Sequence, residues 1–231
     1  MAAFVVAIDG VAGSGKSTTA KGVARRLNLF YLDTGAMYRA FTLKYLRHRK
    51  ADERDIDVGL IEELLSTTAV DLCQEGDEVR VFLDREAVSL AIRTPEVSRF
   101  VSQISAIAEV REWMVARQRE VAEGKRVVCE GRDIGTVVFP EAQVKIFMDA
   151  DVKVRAARRL KEMGEKKMDT EMGEVIENLK FRDRYDSQRA HSPLKRAADA
   201  IVIDTTNITI DQEIDMVTKI VEKTLQDKRA L

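Results

Sequence analysis

Three features of the 231-residue sequence predict an α/β fold, a parallel sheet with helices on both faces. Short apolar runs alternate with longer stretches of helical periodicity, as in a chain that passes from strand to helix and back to a parallel strand. The first apolar run ends in a glycine-rich turn, Gly10-Val-Ala-Gly-Ser-Gly15-Lys16-Ser17, which leads into a helix. One segment breaks the alternation and reads as an antiparallel hairpin, so it is an insert in the main sheet.

In chain order, Phe4 to Ile8 is a buried strand and Ser17 to Leu27 a helix. Phe30-Tyr31-Leu32 is a short strand ending at Asp33. Ala36 to Lys50 is a helix with Thr34, a residue suited to N-caps, ahead of it. Val70 to Cys73 and Val79 to Leu83 flank the turn-like Gln74-Glu-Gly-Asp77, giving the hairpin, and Glu86 to Ser89 adds a third short strand. Trp113 packs from a helix between Val110 and Arg117. Val127 to Cys129, Val144 to Met148 and Ala200 to Ile203 are further strands. Asp151 to Met163, Thr170 to Gln188 and Asp211 to Lys228 are helices. The chain thus divides into a core (1–64, 93–150 and 191–231), an insert (65–92) and an arginine-dense helical excursion (151–190). Gly164 and the Lys166-Lys167 run suit a solvated lid.

Apolar content of 45%, charged content of 33% and a net charge of −1 describe a soluble globular chain with no general affinity for nucleic acid. No apolar run nears the roughly 20 residues that span a bilayer. Phe4 to Ile8 is too short for a signal peptide and has no basic flank. Cys73 and Cys129 lack metal-ligand spacing and read as free thiols in a reducing compartment, so a cytoplasmic location is expected. His48 and His191 have no nucleophile or metal-binding group beside them and read as surface residues.

The glycine-rich turn satisfies G-x-x-x-x-G-K-[ST]. Glycines let the backbone turn tightly and aim N–H groups at one concave point, and the following helix adds its positive end. The candidate cradle comprises Gly10, Val11, Ala12, Gly13, Ser14, Gly15, Lys16, Ser17 and Thr18. Lys16 would reach the β- and γ-phosphates of a nucleoside triphosphate, and the Ser17 hydroxyl would ligate Mg²⁺. This pattern predicts triphosphate binding but does not specify a reaction.

Three further clusters offer a second anion site. Thr34, Tyr38 and Arg39 bring a hydroxyl, a ring and a guanidinium to one helix start; the same pattern also suits a capped helix with Tyr38 in the core. Arg132 and Asp133 follow a buried strand, where open α/β sheets bind ligands; a turn with a local ion pair is the alternative. Arg155, Arg158 and Arg159 share a helix face, as do Arg182, Asp186 and Arg189. Such stripes also occur on solvated faces, but clustered guanidiniums are what the charged equatorial oxygens of a moving phosphoryl group require.

The P-loop together with "YLDTGAMYRA", "AIRTPEVS", "CEGRDIGTVVFP", "VKIFMDAD" and "RDRYDSQRAHSPL" closely resembles the bacterial-type cytidylate kinases, over about Phe4 to Asp204. The resemblance implies a P-loop NTPase-type sheet carrying an antiparallel NMP-binding insert and a helical lid. It implies transfer of the ATP γ-phosphoryl group to CMP or dCMP by a monomer. Thr34, Tyr38 and Arg39 would contact the acceptor; family members often carry serine where this chain has Thr34, and the hydroxyl is kept. Ser102 and Arg111 would contact cytosine. Arg132 and Asp133 would lie at the acceptor's base and sugar side, with Arg132 also near its phosphate. Arg182 would hold the acceptor phosphate and Asp186 the sugar, supported by Arg189. Arg155 and Arg159 would face the ATP phosphates, and adenine contacts would fall near Asp204-Thr205-Thr206. Lys16, Arg132, Arg159 and Arg182 form the implied catalytic set. The acceptor phosphate is already largely dianionic at neutral pH, so no strong general base is required.

Two other readings share the cradle. Small-metabolite P-loop kinases, such as those for shikimate or dephospho-coenzyme A, lack the "DTGAMYR" and "EGRDIGTVVFP" pair and the hairpin. A nucleotide-dependent switch would have no use for a second cationic site, and the N-K-x-D guanine signature is missing.

Overall fold

The computed structural model describes residues 1–50, 55–76, 78–165 and 171–229. Its elements run β1 (Phe4–Gly10), α1 (Lys16–Leu27), β2 (Phe30–Asp33), α2 (Thr34–His48), α3 (Val58–Thr67), β3 (Val70–Glu75), β4 (Glu78–Leu83), β5 (Glu86–Ala87), α4 (Pro95–Ile104) and α5 (Ala108–Ala122). Then follow β6 (Arg126–Gly131), a π-helical turn (Ile134–Val138), β7 (Val144–Asp149), α6 (Val152–Glu165), α7 (Met172–Gln188), β8 (Ile201–Asp204) and α8 (Ile210–Arg229). The expected Asp77, Lys166, Lys167 and Thr170 features lie outside the described residues.

The main sheet has five parallel strands in the order β2-β6-β1-β7-β8. The central strand β1 is buried at every position, as expected for a strand covered on both faces. Its side chains alternate between two cores. Val5 and Ala7 join Leu32, Val127 and Cys129 under α2 and α5. Phe4, Val6 and Ile8 join Tyr31, Val128 and Ile146 under Val23 of α1 and Val217 of α8. On the first face Trp113 packs against Phe41, ring centroids 5.5 Å apart.

The hairpin is antiparallel, with Leu72 opposite Val81, and β5 extends it to three strands. It is fixed beside the β2 edge by polar links as well as by packing. Gln74 Oε1 accepts the Tyr31 N–H at 2.9 Å, and Arg117 Nε on α5 donates to the Val70 carbonyl at 2.9 Å. Arg47 of α2 forms a two-pronged pair with Glu86, at 2.7 and 2.9 Å.

Two local expectations are corrected. Thr34 is the first helical residue of α2, not its cap; Asp33 caps the helix, its Oδ1 accepting the Ala36 N–H at 2.8 Å. A carboxylate on the last residue of β2 thus reaches the helix start first, and the Thr34 hydroxyl is free to bond elsewhere. Helix α6 runs on through Gly164 to Glu165, past the expected end at Met163. Helices α3 and α4 appear where no element was assigned.

All five parallel strands end in or beside a carboxylate at their C-terminal edge: Asp33, Glu130, Asp9, Asp149 and Asp204. The glycine-rich turn leaves this edge from the centre of the sheet, at β1.

Candidate active site

The cradle requires glycine at its entrance. Gly10 has φ 148°, and a Cβ there would stand 2.0 Å from the Met148 carbonyl oxygen of the neighbouring strand. Gly15, the N-cap of α1, has φ 96°, a region that L side chains rarely occupy. Lys16 is buried; its Nζ donates to the Val11 carbonyl at 2.6 Å and approaches Ser14 Oγ at 3.5 Å. Burial and the nearby Arg132 push its pKa down to about 7, against the pull of Glu130 and Asp9. Ser17 and Thr18 are exposed at the mouth of the turn.

A strap from the arginine-dense helices holds the loop. Arg155, buried on α6, donates from Nη1 to the Ala12 carbonyl at 3.0 Å and to Asp183 Oδ2 of α7 at 2.6 Å. Asp183 Oδ1 accepts the Ala12 N–H at 3.3 Å. The three arginines of α6 therefore serve different ends. Arg155 is committed to the loop backbone and the packing of Gly13. Arg158 donates to Thr205. Arg159, partly exposed and 3.0 Å from Glu162, lies near enough to Arg39 and Arg182 to lower both their pKa values.

Opposite the cradle, Arg132 Nε donates to Asp186 Oδ2 at 2.7 Å and Nη1 to the Gly10 carbonyl at 3.1 Å. Burial opposes the Arg132 charge, but Asp186 and Glu130 more than offset it and its pKa is raised. Burial likewise pushes the Asp186 carboxyl up; Arg132, Arg189 and Arg182 outweigh it and hold the pKa below the usual carboxylate range. Arg182 has fewer compensating carboxylates. Burial, Arg132 and Arg39 bring its pKa down to about 10, and its Nε is buried with no hydrogen-bond partner among the described residues. Arg39 Nη1 donates to Ser98 Oγ at 2.9 Å, and burial lowers its pKa despite Asp33. Arg182 thus lies in the fields of Arg132, Arg39 and Arg159, and Lys16 in those of Arg132 and Arg182, an arrangement suited to highly charged anions.

A second wall adjoins this cluster. Arg111 Nη2 donates to Asp133 Oδ2 and Nη1 to the Ser105 carbonyl at 3.0 Å. Its guanidinium sits 5.4 Å from the Tyr38 ring centre. Arg189 lies 3.6 Å from Asp133 and 3.9 Å from Asp186. Buried and without hydrogen-bond partners among the described residues are Tyr38 Oη, Arg111 Nε and Arg189 Nη2. Burial pushes the Tyr38 phenol up to about 12, so it stays protonated. Thr34 Oγ1 donates to the Glu130 carbonyl at 2.7 Å. Ser102 is half-buried on α4, its carbonyl accepting the Ser105 hydroxyl at 3.1 Å.

Asp9 takes part although no sequence motif marks it, and Tyr31, Asp33 and Glu130 take part without having been assigned a role from the sequence. Asp9 accepts the Ile134 and Gly135 N–H groups, both at 2.7 Å, which fixes the turn after Arg132 and Asp133. Burial raises its pKa to about 6, although those two bonds oppose the shift. Glu130 Oε1 accepts the Tyr31 hydroxyl at 2.8 Å, and that phenol also faces Ser17. Burial and the charge of Glu130 raise the Asp33 pKa. Tyr31 thus links Glu130 to Ser17 beside the cradle, and Asp33 lies in the field of Glu130. Among the described residues no group of three or more His, Cys, Asp or Glu side chains converges as a closed metal cage. An open set is what Mg²⁺ uses, binding through one or two carboxylates, substrate phosphates and water.

A parallel sheet with a glycine-rich phosphate turn at its edge, faced by buried arginines from a helical excursion, defines a P-loop kinase. The cytidylate kinase family model matches residues 6–223. Among curated proteins, the cytidylate kinase of Desulforamulus reducens is 50% identical over 218 residues, covering 94% of this chain and 96% of that protein. That of Lactobacillus gasseri is 45% identical over 221 residues, covering 94% of each. A crystal structure of an uncharacterised Eubacterium ventriosum protein shares the fold, with a TM-score of 0.52 and 13% identity over 95% of this chain and 98% of that one. The chain belongs to the cytidylate kinase family, whose members are ATP-dependent phosphotransferases. No helix among the described residues is long and apolar enough to cross a membrane.

Proposed function

We propose that the chain transfers the ATP γ-phosphoryl group to CMP, and to dCMP beside it, between the P-loop and the facing arginines. The observation that carries this reading is the gathering of buried cations at the cradle: Arg132 bridges the Gly10 carbonyl and Asp186, Arg182 Nε is buried without a hydrogen-bond partner among the described residues, and burial together with Arg132 lowers the pKa of both Lys16 and Arg182. Groups held this close need more negative charge than the protein supplies there, and two phosphate-bearing ligands provide it. Membership of the cytidylate kinase family supports the choice of acceptor.

The backbone amides of Gly13 to Ser17 bind the donor phosphates, and Lys16 exchanges the Val11 carbonyl for their oxygens. Arg39, Arg132 and Arg182 hold the acceptor phosphate in line for attack. Arg159 adds charge from the lid side, while Arg155 acts by holding the loop. Tyr38, Ser102, Arg111 and Asp133 line the base site. Asp186, oriented by Arg132 and Arg189, takes the sugar. Mg²⁺ would be held by Ser17 with Asp33 and Glu130 beside it, and when bound it neutralises phosphate charge. Residues 65–92 serve as the acceptor-binding insert and 151–190 as a lid whose closure excludes water, the competing acceptor.

The acceptor profile tests the reading. With Mg-ATP as donor, CMP is expected to outpace UMP and shikimate by at least about tenfold in kcat/KM. A preference for shikimate, or ATP hydrolysis indifferent to CMP, would overturn it.

The Lys16 pKa gives a second test. At pH 8 a lysine with a pKa of about 7 is mostly neutral in the free protein. Phosphate contact raises the pKa, so binding of fully ionised Mg-ATP takes up about one proton. Affinity accordingly falls as pH rises above 7. Calorimetry in buffers of different ionisation enthalpy reads the uptake directly; zero uptake would mean Lys16 is already charged or stays neutral.

A further inference from the structure

The cradle is held from behind by groups to which the reaction scheme gives no part. Glu213, in the first turn of α8, is fully buried. Thr19 Oγ1 donates to its Oε2 at 2.7 Å, and Arg158 Nη2 lies 3.5 Å from Oε1. The carboxylate rests against Gly15, where a Cβ would stand 2.5 Å from Oε2. Arg158 also donates to Thr205, from Nη1 to the hydroxyl at 3.0 Å and from Nη2 to the carbonyl at 2.7 Å. The fully buried Thr205 Oγ1 lies 2.9 Å from the Ser14 carbonyl, to which it donates, and 3.2 Å from the Asp149 carbonyl.

Ser14 C=O and Gly15 N–H belong to one planar trans peptide and point in opposite directions. A hydroxyl that holds the carbonyl therefore aims the N–H the other way, and Glu213 against Gly15 limits the loop's retreat. We infer that Thr205 and Glu213, joined by Arg158, are positioning residues that fix the Ser14–Gly15 peptide with its N–H turned toward the donor's polyphosphate. They set donor affinity without touching the donor. This rests on the kinase reading above, with ATP as donor.

The test is binding of Mg-ATP, of inorganic tripolyphosphate and of CMP to Thr205→Val, Thr205→Ser and Glu213→Gln, by calorimetry with melting temperatures alongside. Thr205→Val removes the hydroxyl at nearly constant shape. It is expected to weaken Mg-ATP and tripolyphosphate alike by about tenfold, the scale of one lost buried hydrogen bond, with CMP within about twofold. Thr205→Ser is expected to restore both donor ligands to within about threefold. Glu213→Gln, which carries the same test should Thr205→Val not fold, is expected to weaken them in the same direction. Loss confined to ATP would make Thr205 a base contact and overturn the inference. Equal weakening of ATP and CMP, or failure of serine to rescue, would reduce the network to a stabilising one and overturn it as well. A wild-type protein that binds neither ATP nor CMP would sink the kinase reading itself, a result distinct from variants that match the wild type.

Discussion

Replacing Arg182 by alanine is expected to lower turnover by about 10²–10³-fold, the usual cost of removing one fixed donor from a charged transition state, while ATP affinity stays within about threefold. The asymmetry follows from position. Arg182 comes from α7, and the charges that act on it most strongly are those of Arg132, Arg39 and Asp186. Its buried Nε lacks a protein partner among the described residues. Such a guanidinium is held under electrostatic stress until an anion arrives, and it gains most when the transferred group carries most charge. Steady-state kinetics with both substrates varied distinguishes the effects. Turnover unchanged from wild type would remove Arg182 from the reacting centre, and a matching loss of ATP affinity would move it to the donor side.

Arg132→Ala is expected to act on both catalysis and stability. Arg132 joins the Gly10 carbonyl of the cradle to Asp186 of α7. Its removal leaves a largely buried carboxylate without its main partner, typically a loss of about 3–5 kcal/mol. Acceptor KM is expected to rise along with the loss of turnover, since Asp186 is then no longer oriented. The pH dependence has a definite sign. In the wild type the depressed Asp186 pKa contributes stability that is present above the unfolded value, about 3.9, and lost as pH falls through the folded value. The stability gap between wild type and variant is therefore widest near neutrality and narrows in acid, closing only as pH falls through the depressed folded pKa of Asp186, where the wild-type carboxyl is protonated too. Denaturant titrations at pH 7 and pH 3.5 check this; a gap of equal size at both would mean the Arg132–Asp186 pair contributes nothing.

Elements carried by strong local patterns were legible in the sequence. The spacing Gly10 to Ser17 located the cradle because backbone geometry demands those residue types, and β1, β6 and β7 were legible as unbroken apolar runs. The hairpin was marked by its turn. Helix α3 was missed because its only buried residues are Ile61 and Leu64, too few to impose a period. The cap of α2 was misplaced by one residue because Asp33 and Thr34 are both good caps and only the direction of the incoming strand selects between them. The arginines of α6 were legible as a stripe, but their destinations were not. Arg155 meets Asp183 and Arg158 meets Thr205 and Glu213 through tertiary packing, and the Thr19–Glu213 bond spans 194 positions. No local signal marks a carboxylate whose partner lies at the other end of the chain.

Asp9 is the last residue before the cradle, and it also grips the turn that bears Arg132 and Asp133. Donor and acceptor halves are thus joined through one side chain. A change at Asp9 would release the Ile134 and Gly135 N–H groups directly beside the start of the cradle. The two halves are therefore set by one carboxylate, and a displacement of either reaches the other through it.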